Sequence, residues 1–288
     1  MSSVERTHGH IFRGGSKTYY NSSLFFPKDV RTDVFTLYAF VRYADDFVDA
    51  IPQRAEGFYA FRDSYRRAAE GHSAGDGIID PFVRLATRRG FEPEWTEAFL
   101  RSMEMDLTKR VYRSLSETLE YIYGSAEVIG LYMMRILELA DTARHPAMMQ
   151  GRAMQYINFV RDIPEDNRLG RTYLPLEDTS LPHLQEAVVW RDPEEFSRFI
   201  RAQIGRYREW QRQAQEGYAL MPKRVLVPIK TASDMYDWTA RVIADDPFVV
   251  FRRKVKPMRT RILARVLANA LRPYPMKEHR GESLPRST

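Results

Sequence analysis

The sequence predicts an all-α protein built as one helical domain. Three observations carry this. Apolar residues recur at intervals of three and four along most of the chain, the period of a helix with one buried face. No stretch alternates apolar and polar residues like a half-buried strand, and no repeat or low-complexity linker divides the chain. Two aspartate pairs, Asp45/Asp49 and Asp162/Asp166, stand four residues apart inside helical stripes, so each pair projects from one helix face.

In chain order, residues 1–15 are polar and read as a flexible N-terminal segment lacking the apolar core of a signal peptide. Lys28-Asp29 marks a helix start, and Val30, Val34, Leu37, Tyr38, Val41 and Val48 follow on its apolar stripe. Further stripes run over about 94–112, 116–140, 146–161, 193–220 and 232–244. Asp192-Pro193 places a proline in a first turn, where its missing N–H costs nothing. Residues 71–77 and 170–182 read as loops. At typical helix lengths, residues 16–271 hold roughly eight to ten helices. Residues 272–288 carry Pro273, Pro275, Gly281 and Pro285 and read as a frayed polar tail.

The 288 residues suffice to bury a substantial core. The lack of cysteine excludes disulfides, thiolate zinc sites, iron–sulfur clusters and a cysteine nucleophile. No apolar run reaches membrane-spanning length, so a cytoplasmic protein is the default expectation. The net charge of +6 is weighted towards the end, where Arg252, Arg253, Lys254, Lys256, Arg259, Arg261 and Arg265 fall close together. Such a run suits nucleic acid, anionic lipid or a polyphosphate, or is simply a solvated helix face.

The first aspartate pair continues the stripe of Val34, Tyr38 and Val41, with Asp49 one turn above Asp45 and Arg42 one turn below it. Carboxylates buried there unpaired would be costly; they need metal ions, a basic partner or a watery cavity. The plain alternative is a solvated helix end with Asp45 paired to Arg42. In the second pair, Gln155, Asn158, Asp162 and Asp166 line one face, and Arg161 adds a forked donor suited to phosphate. Pro164 disfavours a continuous helix, so Glu165 rather than Asp166 could point inward. The alternative here is a polar face shared with solvent or another helix.

Two such faces turned towards each other would make a negative cleft for Mg²⁺, which favours a few carboxylates plus substrate phosphates; Mn²⁺ is a substitute. A diphosphate held this way becomes a better leaving group. Its departure from an allylic carbon leaves a carbocation, which needs a dry cavity. Tyr19, Tyr20, Phe25, Phe26, Phe35, Tyr38, Phe40, Tyr121 and Tyr123 could supply aromatic walls, although aromatics at helical spacing are more often plain core.

Five segments carry a resemblance: Ser16-Lys-Thr-Tyr-Tyr, Leu37-Tyr-Ala-Phe-Val-Arg-Tyr-Ala-Asp-Asp-Phe-Val-Asp49, Tyr121-Ile-Tyr-Gly-Ser-Ala-Glu-Val-Ile-Gly130, Gln155-Tyr-Ile-Asn-Phe-Val-Arg-Asp162 and Gly170-Arg-Thr-Tyr-Leu-Pro175. In this order they resemble the squalene/phytoene synthases, the head-to-head prenyltransferases of isoprenoid and carotenoid biosynthesis. The resemblance implies a single-domain isoprenoid-synthase bundle with a central cavity. It implies 1′–1 joining of two allylic prenyl diphosphates through a cyclopropylcarbinyl diphosphate. By the same resemblance Asp45, Asp49, Asp162 and Asp166 would hold Mg²⁺. Arg42, Gln155, Asn158 and Arg161 would orient diphosphate or metal-bound water, and Ser16 would contact a diphosphate. Tyr38 and Tyr121 would line the reacting centre. Tyr236 and Arg253, or Arg252 in its place, would close the diphosphate side. Two departures stand out: Ser125-Ala126-Glu127 where Val-Ala-Gly is frequent, with Glu127 facing outward, and Pro164 where a small residue is frequent.

The short chain without a C-terminal anchor looks most like the phytoene and dehydrosqualene branch. Small Ser22 and Ser23 favour long prenyl chains, hence phytoene from two geranylgeranyl diphosphates. The alternative is dehydrosqualene or squalene from farnesyl diphosphate, with NADPH required only for squalene; no Gly-rich dinucleotide fingerprint is present. A terpene cyclase, a chain elongase, a non-catalytic assembly protein and a nucleic-acid binder are the other readings. The expected partners are prenyl diphosphates and not nucleic acid, with a peripheral membrane contact as a route for product release.

Overall fold

The computed structural model describes residues 26–272. Ser16, Tyr19, Tyr20, Ser22, Ser23 and Phe25, the 1–15 segment and all of the tail beyond 272 lie outside the described residues. Among the described residues the fold is all-α, as the periodicity predicts. The helices are α1 (Lys28–Val48), α2 (Ala55–Ala69), α3 (Ile79–Arg89), α4 (Pro93–Thr108), α5 (Leu115–Ile122), α6 (Val128–Ile136), α7 (Arg144–Arg161), α8 (Ile163–Arg168), α9 (Glu186–Val189), α10 (Pro193–Gln215), α11 (Lys223–Asp245), α12 (Val249–Arg252) and α13 (Arg259–Leu271). An isolated parallel bridge joins Val111 to Thr172.

The helices outnumber the roughly eight to ten expected because two helical runs are broken and because α9 and α12 are short four-residue helices. A π-helical turn, Tyr123–Glu127, separates α5 from α6, and Pro164 opens α8 as a new helix after α7. α11 starts ahead of its predicted stripe and runs through Pro228, which is buried. Packing there outweighs the hydrogen bond that proline removes.

α1 to α4 and α6 share one apolar core. Within it Phe40 stacks on Phe82 with ring centroids 3.7 Å apart and meets Phe61 and Tyr65. α7 is central. Its buried residues Met149, Ala153, Met154, Tyr156, Ile157, Phe159 and Val160 occupy most of its circumference, and it packs on α6, α10 and α11. A helix apolar nearly all round is a buried one.

Two glycines set how closely α7 approaches the preceding segment. A Cβ on Gly130 would lie 2.0 Å from the Ala147 carbonyl oxygen, and one on Gly151 would lie 2.1 Å from that of Ala126. Backbone, not a movable side chain, blocks both. Gly151→Ala is therefore expected to cost about 1–3 kcal/mol, read as a lower denaturant midpoint with an unchanged slope. A wild-type midpoint would show that the two backbones are not in contact.

Candidate active site

The end of α1 buries Ala44, Phe47 and Val48 and so turns Tyr38, Arg42, Asp45 and Asp49 to the opposite side. Asp49 closes the helix, its N–H donating to the Asp45 carbonyl at 2.9 Å. The two carboxylates thus keep the stacking their spacing predicts. Arg42 is drawn to the acids of its own helix. Its Nη1 lies 3.0 Å from Asp45 Oδ2 and its Nη2 2.5 Å from Asp46 Oδ1. This matches the i+3 pairing of the plainer alternative, yet Asp45 is not merely solvated. Burial, then the charge of Asp49, push its carboxyl up to about 8, against the pull of Arg42.

The second row survives the helix break. The Asp166 N–H still donates to the Asp162 carbonyl at 2.9 Å, so Pro164 does not displace Asp166. Burial and then the charge of Asp162 hold the Asp166 carboxyl well above the usual range; Asp106 and Asp49 add to this while Arg171 opposes it. Glu165 joins the row rather than taking the place of Asp166: its Oε1 meets Lys254 Nζ at 2.6 Å, the same ammonium that meets Asp162. Burial also raises Asp162, but Arg161 and then Lys254 outweigh it and leave the carboxyl below its ordinary value. Arg161 grips Asp162 through Nε at 2.7 Å and Nη2 at 2.6 Å, and Lys254 Nζ lies 2.5 Å from Asp162 Oδ1.

The two rows are joined by residues that sequence reasoning left without a role. Asp106 of α4 accepts from Tyr121 Oη at 2.7 Å and from Tyr173 Oη at 2.6 Å. Arg171 donates to Asp49 Oδ1 at 2.7 Å, to the Val48 carbonyl at 2.6 Å and to the Asp106 carbonyl at 3.3 Å. Both are almost wholly buried. Arg171 is the clamp that fixes the end of α1 against α4. Its motif, Gly170 to Pro175, is legible in the sequence; Asp106, which shares α4 with Glu94, Glu97 and Glu104, gives no signal that it alone is buried.

The rows adjoin a cavity of ≈ 270 Å³. Val34, Leu37, Tyr38 and Val41 of α1, Gln155 and Asn158 of α7, and Met133, Met154, Met221 and Ile229 are among its lining residues. No described lining residue is charged. Among the described residues, few of the expected aromatic walls line it. Phe26 and Tyr38 do line it. Phe35 and Phe40 are plain core, Tyr123 is exposed, and methionine and aliphatic side chains replace them. Tyr121 does not line the cavity either; its hydroxyl is committed to Asp106. Tyr236 is buried on α11, near enough to Tyr38 to affect its ionisation. Burial chiefly pushes the Tyr38 hydroxyl up to about 12, so it stays protonated and makes a poor nucleophile towards a cation.

Two further expectations are corrected. The terminal basic run does reach the acids, but through Lys254; Arg253 is exposed, and Arg252 pairs with Asp246. Chain direction decides this, since α12 ends at Arg252 and the extended backbone after it turns Lys254 inward. Lys256 stands close by: burial, then the neighbouring charges of Arg161 and Lys254, lower its pKa. Glu127 does not face outward. It is buried and ion-paired with Arg152 Nε at 2.7 Å.

The donor set suits hard divalent ions. All candidate ligands are oxygens, the Asp45 and Asp166 carboxyls are short of positive charge, and the buried Asn158 Oδ1 has no hydrogen-bond partner. Among the described residues no three acidic or histidine side chains converge on one point. Two facing rows with cations alongside suit ions whose coordination is completed by phosphate oxygens and water.

An all-α bundle with acid rows beside an uncharged apolar cavity suits a protein that holds a metal-bound diphosphate next to an apolar chain. Residues 12–261 match the squalene/phytoene synthase family model, and the chain belongs to that family, the head-to-head prenyltransferases. It is 33% identical over 185 residues to the 15-cis-phytoene synthase of a Paracoccus species, a match covering 61% of this chain and 61%, less than two thirds, of that enzyme. It is 26% identical over 257 residues to the 15-cis-phytoene synthase of Synechococcus elongatus, covering 83% of each. Among solved structures it is similar in fold to a dehydrosqualene synthase in complex with ligand, with TM-score 0.77, 18% identity and 92% and 95% of the two chains covered. It also resembles the squalene synthase HpnC of Alicyclobacillus acidocaldarius, with TM-score 0.76, 20% identity and 85% and 94% covered.

Proposed function

We propose that this protein joins two geranylgeranyl diphosphates 1′–1 to give phytoene, with release of two diphosphates. The observation that carries the reading is the junction of two acidic rows with an apolar cavity lacking charge. The phytoene synthases among its relatives support the forty-carbon product.

In this reading Asp45, Asp49, Asp162 and Asp166 hold Mg²⁺, with Asn158 and Gln155 supplying amide contacts to the same face. Mg²⁺ bound there with substrate would supply positive charge to offset that of a departing diphosphate. Arg161, Lys254 and Lys256 offer further cationic contacts to phosphate oxygens. The C1–O bond of one substrate breaks and leaves an allylic cation. The C2=C3 π electrons of the second substrate form the new bond to that carbon, and loss of a proton closes the cyclopropylcarbinyl diphosphate. Its own C–O bond then breaks, the cation rearranges to the 1′–1 skeleton, and a second proton is lost. The uncharged wall of Leu37, Met133, Met154 and Ile229 keeps water and carboxylates from trapping the cations. Tyr38 presents a neutral phenol beside the acids.

Purified protein incubated with Mg²⁺ and either geranylgeranyl or farnesyl diphosphate should give phytoene from the first, identified by mass. Thirty-carbon products alone would defeat the proposal. Chelation should abolish diphosphate release, and added Mg²⁺ or Mn²⁺ should restore it. Release undiminished in excess chelator would remove the metal-binding role of the four aspartates.

A further inference from the structure

We infer that the outward face of α13 is a docking surface for an anionic lipid bilayer. α13 packs on α11 by one side, burying Ile262, Val266 and Asn269. On the side facing away, Leu263, Leu267 and Leu271 follow at four-residue spacing and are 54%, 65% and 84% exposed. That spacing sets them in one row along the helix. Met258, just before the helix, is 71% exposed. Single exposed leucines are ordinary, but an aligned row marks a contact surface.

Charge selects the occupant. From Phe251 to Arg272 the chain has no acidic residue, whereas Arg253, Arg259, Arg261 and Arg272 are exposed along this segment. An apolar row flanked by cations only is complementary to a bilayer with anionic headgroups. A second copy of this chain would bring the same cations against themselves. No described helix is long and apolar enough to cross a membrane, so the contact is one of lying on the surface.

The position has a further consequence. α11 carries α13 on one side, and its Pro228, Ile229 and Ala232 line the apolar cavity. Docking through α13 would therefore hold the cavity one helix layer from the lipid, where an apolar product can partition. The surface itself does not depend on which product is made.

The test is flotation of the full chain with vesicles of phosphatidylcholine alone or mixed with phosphatidylglycerol. Wild-type protein should float with the mixed vesicles, less at high salt as the headgroup attraction is screened. Leu263→Glu combined with Leu267→Glu should weaken binding about tenfold or more. Solubility, melting temperature and turnover of detergent-dispersed substrate should stay unchanged, since both side chains face outward. Arg259→Glu with Arg261→Glu should reduce binding to mixed vesicles alone. Equal flotation of wild type and the leucine variant would overturn the inference. So would wild-type protein that ignores both vesicle types, whether it sediments as a monomer or as a dimer that the leucine variant dissociates.

Discussion

Asp45→Asn is expected to lower turnover at least about a thousandfold while raising the stability of the metal-free protein. The two effects have one cause. Asp45 stands where burial and Asp49 disfavour a negative charge, and Arg42 offsets only part of this. When divalent ions and diphosphate arrive, the same charge becomes a ligand. A thousandfold is about 4 kcal/mol of transition-state stabilisation, a scale typical of one group that meets developing charge. The pH dependence follows from the direction of the shift. The folded carboxyl titrates at about 8, above the unfolded value near 4. The folded state therefore binds this proton more tightly, and metal-free stability falls as pH rises from about 4 to about 8. Asparagine removes that slope. Thermal melts in chelator across this window, with single-turnover assays in Mg²⁺, measure both halves. A variant that kept activity within tenfold, or melted lower than wild type at pH 8, would refute the assignment.

Arg171→Leu should be the most damaging single substitution for stability, at about 3–5 kcal/mol. Its guanidinium meets Asp49, Tyr173 Oη and the carbonyls of Val48 and Asp106 from a nearly fully buried position. Without it, Asp49 and Asp106 lose the cation between them, and the Val48 and Asp106 carbonyls keep only the Gln53 amide as side-chain donor. Arg171 already opposes a rise of the Asp106 carboxyl, which burial lifts to about 6. Arg171→Lys restores the charge but not the fork, so it should recover only part of the loss. Denaturant titration of the three proteins checks the order. Leucine at wild-type stability would mean that the clamp contributes nothing.

The acid rows were legible because helical spacing is a local property: residues four apart share a face wherever the helix goes. Asp45/Asp49 and Asp162/Asp166 kept that relation even across the break at Pro164. The aromatic residues misled because their period marks a buried face without saying which interior it meets. Phe40 meets Phe82 in the solid core, not the cavity. The basic run was visible as a charge, but which cation turns inward depends on where α12 ends, and that favoured Lys254 over Arg253. Glu127 was misjudged because its partner Arg152 lies on another helix.

The sequence alone determined the helices, the two carboxylate faces and the family they signal, since period and motif are written between near neighbours. Tertiary structure alone decided that the faces meet, that Asp106 and Arg171 tie them together, and that methionines and aliphatic residues wall the cavity. Those relations join residues far apart in the chain, where folding chooses the distance and no spacing records it.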